Sequence, residues 1–363
     1  MRSTALRWSA LAVMLLPPLS GLGCPGRDGD TSFGEEGTNP LAPPLGPPVS
    51  YGAASIFNQP VPSDSPIEPG SQEIVEFLRR QHPNGIVLTT RFWSIPACYA
   101  GADTSPTEVR LTAPWRPLID GRRVTHIRGV PIPQGAQPDP EDDGSLAIVD
   151  EASGFEYDFW QMRQTADGWI ASWGNRIPLD GDGIFPTGYS ARGSGFGLLA
   201  GVLWPEELRA GRIEHKLLCT LSAWACAAGG PVPPATESDG ESLHPRALPE
   251  GAVLQLDPAL NLDDPSLGLT PLEKTIARAM QEYGLIVGDN GGREIALQAV
   301  QMGSFRSNPY RDLITTEYVE DGYIILDHIQ ISWLHVLALP PQLADPPIAL
   351  ADESIYTTSK ISP

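Results

Sequence analysis

Hydrophobic and polar positions along the chain change period several times, and mostly they follow the period of a strand. Six short stretches mix β-branched or aromatic residues with polar ones over strand length: "GIVLTT" (85–90), "EVRLTA" (108–113), "RRVTHI" (122–127), "SLAIVD" (145–150), "FEYDFWQMR" (155–163) and "GWIASW" (168–173). Turn-forming residues separate them. Helical spacing is seen in fewer places. In "PGSQEIVEFLRRQ", Ser71 is placed to cap, and Ile74, Phe77 and Leu78 share one face. "WPEELRAGRIEHKLL" reads as a short helical turn with Pro205 near its start, then a strand through Ile213 and Leu217. "TPLEKTIARAMQEYG" carries a full set of helix signals: Thr270 as N-cap, Pro271 at the first position, Glu273 three residues on and Gly284 past the end. "LIVGDNGGREIALQAV" then gives a strand, a Gly-rich hairpin turn and another strand. These elements predict a mainly β, single-domain sandwich or jelly roll with a few accessory helices.

The flanks differ in composition. Arg2 and Arg7 precede a short apolar run that ends in small residues before Cys24, the pattern of a lipoprotein-type signal over 1–24 with Cys24 as the acylated residue. Residues 25–50 are rich in Pro and Gly and read as a disordered linker. The β-rich domain is then expected over 51–338, with a Pro-rich tail at 339–363 that wraps the surface or stays loose. Export and membrane attachment through the N-terminal lipid alone follow from this reading. Of the other cysteines, Cys219 and Cys226 flank "TLSAWA" and are expected to pair in an oxidising compartment; a bridge from Cys98 to either is the alternative.

The stretch with the most chemistry is a hairpin. With Asp167-Gly168 at its turn, Met162 opposes Trp173 and Trp160 opposes Asn175. Alternation then collects Glu156, Asp158, Trp160, Met162, Trp169, Trp173 and Asn175 on one face and Tyr157, Phe159, Ile170 and Ser172 on the other. Indole area beside carboxylates and an amide suits a sugar, whose ring faces stack while its hydroxyls hydrogen-bond. Tryptophans packing a two-sided core account for the same residues equally well. His215 in "GRIEHKLL" is a base or, more commonly in such a setting, a satisfied core histidine. Asp239 sits in an Asp-Gly turn, and Arg192 is followed by Gly193 and Gly195, small neighbours that would let a ligand approach. Asp289 is a minor candidate beside its turn.

Charge and spacing narrow the options. A net charge of −20 with no basic stripe argues against nucleic acid. No Cys/His spacing suggests zinc, and Asp180 with Asp182 makes only half of a calcium loop, so neither a metal nor another cofactor is assigned. No Gly-x-Ser-x-Gly elbow is present.

The motifs "YDFWQ", "ASWGN", "SGFGLLAGVLWPEELRAGRIEH", "PPATESDG" and "IARAMQEYGLIVGDNGG", in this order over roughly Ser55–Pro309, resemble an uncharacterised family of secreted bacterial proteins. Members often carry "GRIDHAL" where this chain has "GRIEHKL". The resemblance implies a jelly-roll or concanavalin-like sandwich of the kind found in polysaccharide lyases. The expected function is polysaccharide binding and cleavage by an exported monomer. Hydrolysis would use Asp158 with Glu156 or Asp239. β-Elimination would use His215 or Tyr157 as base, with Arg192 or Asn175 steadying a uronate. Trp160, Trp169 and Trp173 would line the cleft. The rival expectation is a non-catalytic carbohydrate-binding or surface-structural lipoprotein.

Overall fold

The computed structural model describes residues 38–112, 118–119, 122–123, 125–314 and 323–344. The signal segment, Cys24 and the end of the tail lie outside the described residues. Among those described, sheets of seven, four and four strands carry the fold, with a two-stranded ribbon and three α-helices: α1 (Ser71–Gln81), α2 (Pro205–Ala210) and α3 (Pro271–Glu282). The chain is mainly β and sandwich-like, with few accessory helices, as its periodicity predicts.

The seven-stranded sheet is mixed. Its middle strand, Leu217–Leu221, runs parallel to Leu285–Asn290 on one side and antiparallel to Ile295–Gln298 on the other. Ile86–Thr89 runs parallel to Ile295–Gln298. The stretches "LIVGDN" and "IALQ" therefore do not form the hairpin expected of them, because Leu217–Leu221 lies between them. All three strands are nearly continuous apolar runs, since the sheet is covered on both faces. On one face Leu217, Cys219, Leu221, Leu285 and Val287 pack with Ile74, Leu78, Ile276 and Met280 of α1 and α3. On the other, Leu218 and Ile286 pack with Tyr51, Phe57, Tyr189 and Phe196.

The helices form largely where they were expected. Thr270 caps α3 through a reciprocal box, its hydroxyl accepting from Glu273 N at 3.2 Å while Glu273 Oε2 accepts from Thr270 N at 2.9 Å. Ser71 is instead the first residue of α1, with Gly70 at the cap, and its hydroxyl accepts from Val336 N at 2.8 Å. It ties the helix to the sheet edge.

A Gly-rich segment, residues 183–204, is the middle layer. Its far side meets the sheet Trp173–Pro178, Phe155–Trp160, Leu146–Asp150, Ala97–Tyr99 through Ala147 and Val149, which pack on Leu198, Leu199 and Trp204. The opposite face of that sheet presents Cys98, Ile148, Tyr157 and Phe159 to Val109, Leu111 and Ala171 of the remaining sheet. Residues 38–50 are not a free linker in their described part. Asn39 is buried, donates from Nδ2 to Gly135 O at 2.7 Å and from its backbone N to Phe305 O at 2.9 Å. The tail begins by wrapping the surface, with Leu343 N donating to Pro231 O at 2.8 Å.

Candidate functional site

The hairpin forms, with Trp160 directly opposite Trp173 and Asp158 opposite Asn175. Thr165 pairs with Gly168, so Ala166 and Asp167 make the turn and the register differs from the expected one by two residues. An even shift preserves the alternation within 155–160, but past Gln161 Met162, Trp169 and Trp173 join the core that holds Tyr157 and Phe159 instead of the side of Glu156 and Asp158. Thr165 selects this turn by donating from Oγ1 to Gly168 O at 2.8 Å. At Gln161 (φ 53°) the ribbon turns a corner: the backbone N of Gln161 and of Met162 leave for Asp143 O (2.7 Å) and Gly144 O (2.8 Å). The two halves of the hairpin therefore belong to two sheets.

That corner separates the expected cleft residues. Glu156 and Asp158 are completely buried against the Gly-rich layer. Glu156 Oε2 accepts from Tyr51 Oη at 2.7 Å and Oε1 from Leu199 N at 3.0 Å, while Asp158 Oδ2 accepts from Leu198 N at 2.8 Å. Asp158 Oδ1 meets no N–H or O–H donor, and its neighbour is the Glu156 carboxyl. Burial, then the charge of Glu156, lifts Asp158 well above the usual carboxylate range; burial also raises Glu156. The two hold a proton as a pair. Their work is to bind the backbone of a segment whose glycines permit close approach: a Cβ on Gly197 would stand 2.5 Å from Tyr51 Oη. Neither acid can reach a polymer, so the expected pair Asp158 and Glu156 is corrected to an internal brace.

The other hairpin expectations are corrected likewise. Tyr157 is buried between the two four-stranded sheets and is no base. Trp173 is buried and donates from Nε1 to Tyr189 O at 3.2 Å. Trp169 lies past the corner, beside Val109, and packs on the same core. Asn175 is buried and its Oδ1 accepts from Arg176 N at 2.9 Å. Trp160, like Trp169, is half-buried, and its Nε1 donates to Asp143 Oδ1 at 3.3 Å.

His215 precedes its strand rather than sitting within it. Its Nε2 faces Glu207 Oε2 of α2 at 3.2 Å and its Nδ1 faces Lys216 O at 3.0 Å. Burial works against its proton, yet Glu207 outweighs burial and the imidazole pKa is raised. It is a structural ion pair. His215→Gln is expected to cost about 1–3 kcal/mol. Because the folded pKa is the higher one, this stabilisation is complete below about pH 6.5 and fades as pH rises through the raised value. Urea unfolding of both proteins from pH 5.5 to 8.5 checks it: the gap should narrow with rising pH. Cys98, Cys219 and Cys226 are all free, buried thiols, so the expected Cys219–Cys226 bridge is absent. Cys219 and Cys226 serve as small apolar residues of the helix-side core.

Four other charged groups, from segments far apart in sequence, do converge. Arg192, its side chain 1% exposed, donates from Nη1 to Asp289 Oδ2 (3.1 Å) and Gln298 Oε1 (2.9 Å), and from Nη2 to Leu198 O (3.0 Å). It is a positioning group rather than a ligand-facing cation. Asp289, Asp239 and Glu250 each offer a carboxylate oxygen within 4.8 Å of the others. Gly193 is glycine because Asp239 lies against it: a Cβ there would be 2.6 Å from the Asp239 carboxyl carbon. Asp239 is exposed, Asp289 partly so, and Glu250 closes the floor at 0% exposure. Glu250 Oε2 accepts from Asp239 N at 3.0 Å, and Oε1 is buried with no hydrogen-bond partner. Asn290 donates from Nδ2 to Asp239 O at 3.1 Å.

The strand carrying Asp289 is irregular at this point. Leu218 pairs with Ile286 and Cys219 with Val287, but Thr220 pairs with Asp289, leaving Gly288 as the extra residue of a bulge. Simple alternation would send Asp289 to the helix side with Leu285 and Val287. The bulge turns it to the Gly-rich side, where Arg192 waits, and Ser194 Oγ fixes the bulge by donating to Gly288 O at 2.6 Å. Burial pushes Asp289 up to about 6 while Arg192 pulls it down. Burial and then the charge of Asp289 raise Asp239; burial and then Asp239 and Asp289 raise Glu250. Asp143 adds to the same negative field.

Asp239 and Arg192 were legible as candidates and Asp289 as a minor one; Glu250 and Asp143 were not. A separate pocket of about 190 Å³ is lined by Asp257, Leu260, Ser332, Trp333, Leu334 and His335 and includes none of these groups. Compared with protein-family models, curated proteins and solved structures, the chain finds no match.

Proposed function

We propose that the protein is an exported polysaccharide-binding protein, tethered through lipid on Cys24, and that the acidic recess around Asp239 and Asp289 is its glycan site. What carries this reading is the carboxylate of Asp239, an exposed residue, clustered with the Arg192-held Asp289 and near Asp143, which accepts from Trp160. Exposed carboxylates and an amide are acceptors and donors for sugar hydroxyls, and a half-buried indole offers a flat apolar edge.

Cleavage is the second reading, favoured by one observation. Asp289 is kept toward its ionised form by Arg192, whereas Asp239 is raised without a cation of its own, so the two carboxyls are split into a base-like and an acid-like member. Hydrolysis would then use Asp239 and Asp289 in place of the sealed Asp158 and Glu156.

Retention of the protein on a panel of neutral and uronate polysaccharides tests the first reading. Reducing ends and the absorbance of unsaturated product, read on the same panel, test the second. Retention by at least one polysaccharide is expected; no retention across the panel contradicts the proposal.

A further inference from the structure

We propose that Asp239, Glu250 and Asp289 form a binding site for a hard divalent cation of the calcium class. The inference rests on the recess being the functional site and adds a cofactor to it, one that composition and spacing had not suggested. Three carboxylate oxygens lie within 4.8 Å of one another. Calcium takes its oxygen ligands at about 2.3–2.6 Å, so two of them on opposite sides stand about 5 Å apart, and the three acids can close on the ion with little movement. Magnesium needs a tighter octahedron and keeps more water.

Glu250 is the independent observation. It is fully buried, and although the Ser238 hydroxyl lies near the carboxyl, Oε1 has no partner in hydrogen-bond geometry. A buried carboxylate oxygen with nothing to receive it is costly, and a cation in the triad satisfies it. Charge agrees: three carboxylates and the Arg192 guanidinium sum to −2 when ionised, which one divalent ion neutralises. The fold also holds the ligands in place without the ion. Arg192 fixes Asp289, the backbone N of Asp239 fixes Glu250, and Asn290 fixes the Asp239 backbone. Coordination positions left by the three carboxylates would take water or the hydroxyls and carboxylate of a sugar, Asp239 being an exposed residue. With the ion bound, Asp239 is deprotonated and has no proton to donate, so the cation and the acid-pair reading of cleavage exclude each other.

Thermal unfolding of the protein, stripped with EGTA and then supplied with CaCl2 or MgCl2, tests the inference. At about 100 times its dissociation constant, calcium should raise Tm by roughly 5 °C, and magnesium by clearly less. Asp239→Asn sits at the exposed end of the triad, should fold normally, and should lose the calcium shift. Glu250→Gln should lose it too. No calcium shift in the wild-type protein, or the same shift in Asp239→Asn, overturns the site; the raised carboxyls would then simply be protonated. Glycan retention measured both in EGTA and in calcium keeps the two proposals apart. Retention without a calcium shift removes only the cation, and a calcium shift without retention by any polysaccharide in calcium removes only the glycan.

Discussion

Glu156→Ala is expected to destabilise the protein by about 3–5 kcal/mol, more than any substitution in the acidic recess. The change leaves the Tyr51 hydroxyl and the Leu199 N–H without acceptors inside the Gly-rich layer and opens a void beside them. Each orphaned group costs roughly 1–3 kcal/mol, and the void adds to that. Glu156→Gln keeps an acceptor and should cost clearly less. A companion change isolates the shared proton. Asp158 and Glu156 both have folded pKa values above their unfolded ones, so the folded state binds more protons. The stabilisation is complete below the unfolded carboxylate range and is lost as pH rises through the folded values. Asp158→Asn supplies its own N–H to Glu156, so its stability should fall less than that of the wild-type protein as pH rises from the unfolded carboxylate range through the raised folded values. Urea unfolding gives both numbers. A Glu156→Ala cost under about 1 kcal/mol would mean that the brace does not hold the layer.

The sequence revealed elements more readily than it revealed neighbours. Thr270, Pro271 and Glu273 specify α3 locally, and the structure reproduces that cap bond by bond. Alternation separated Glu156 and Asp158 from Tyr157 and Phe159, and the turn one residue earlier did not change that because the register moved by two, but Met162, Trp169 and Trp173 ended in the core of Tyr157 and Phe159. What alternation cannot show is which layer a face meets. Glu156 and Asp158 meet the backbone of 198–199 rather than solvent, and only tertiary structure brings that segment to them. The positive φ of Gln161, which sends the tryptophans into different sheets, had no signature in the chain. Nor did the insertion of Leu217–Leu221 between two strands that read as a hairpin. The recess was partly legible. Asp239 and Arg192 stood out by their glycine neighbours, though Gly193 makes room for Asp239 and not for a ligand. Glu250 sits in an ordinary turn sequence, "PEG", and only its burial marks it. The bulge that aims Asp289 did have a local cue, glycine just before the acid within an apolar strand.

Asp239→Asn is expected to weaken polysaccharide retention by a factor of about 100 or more while leaving Tm in the absence of cation nearly unchanged. Asp239 is an exposed residue, so the isosteric change leaves no cavity, but it removes a carboxylate of the triad. Trp169→Ala is the informative counterpart. That indole lies past the corner of the hairpin, packed on the inter-sheet core, so its removal should lower stability and leave retention per folded molecule intact. The most direct measurement is the affinity of these two variants and the wild-type protein for one retained polysaccharide, by calorimetry in calcium-containing buffer, with each folded fraction measured alongside. Loss of affinity in Asp239→Asn with Trp169→Ala unchanged is the result predicted. Unchanged affinity in Asp239→Asn, with loss in Trp169→Ala, would return the site to the tryptophan hairpin and contradict the assignment of the recess.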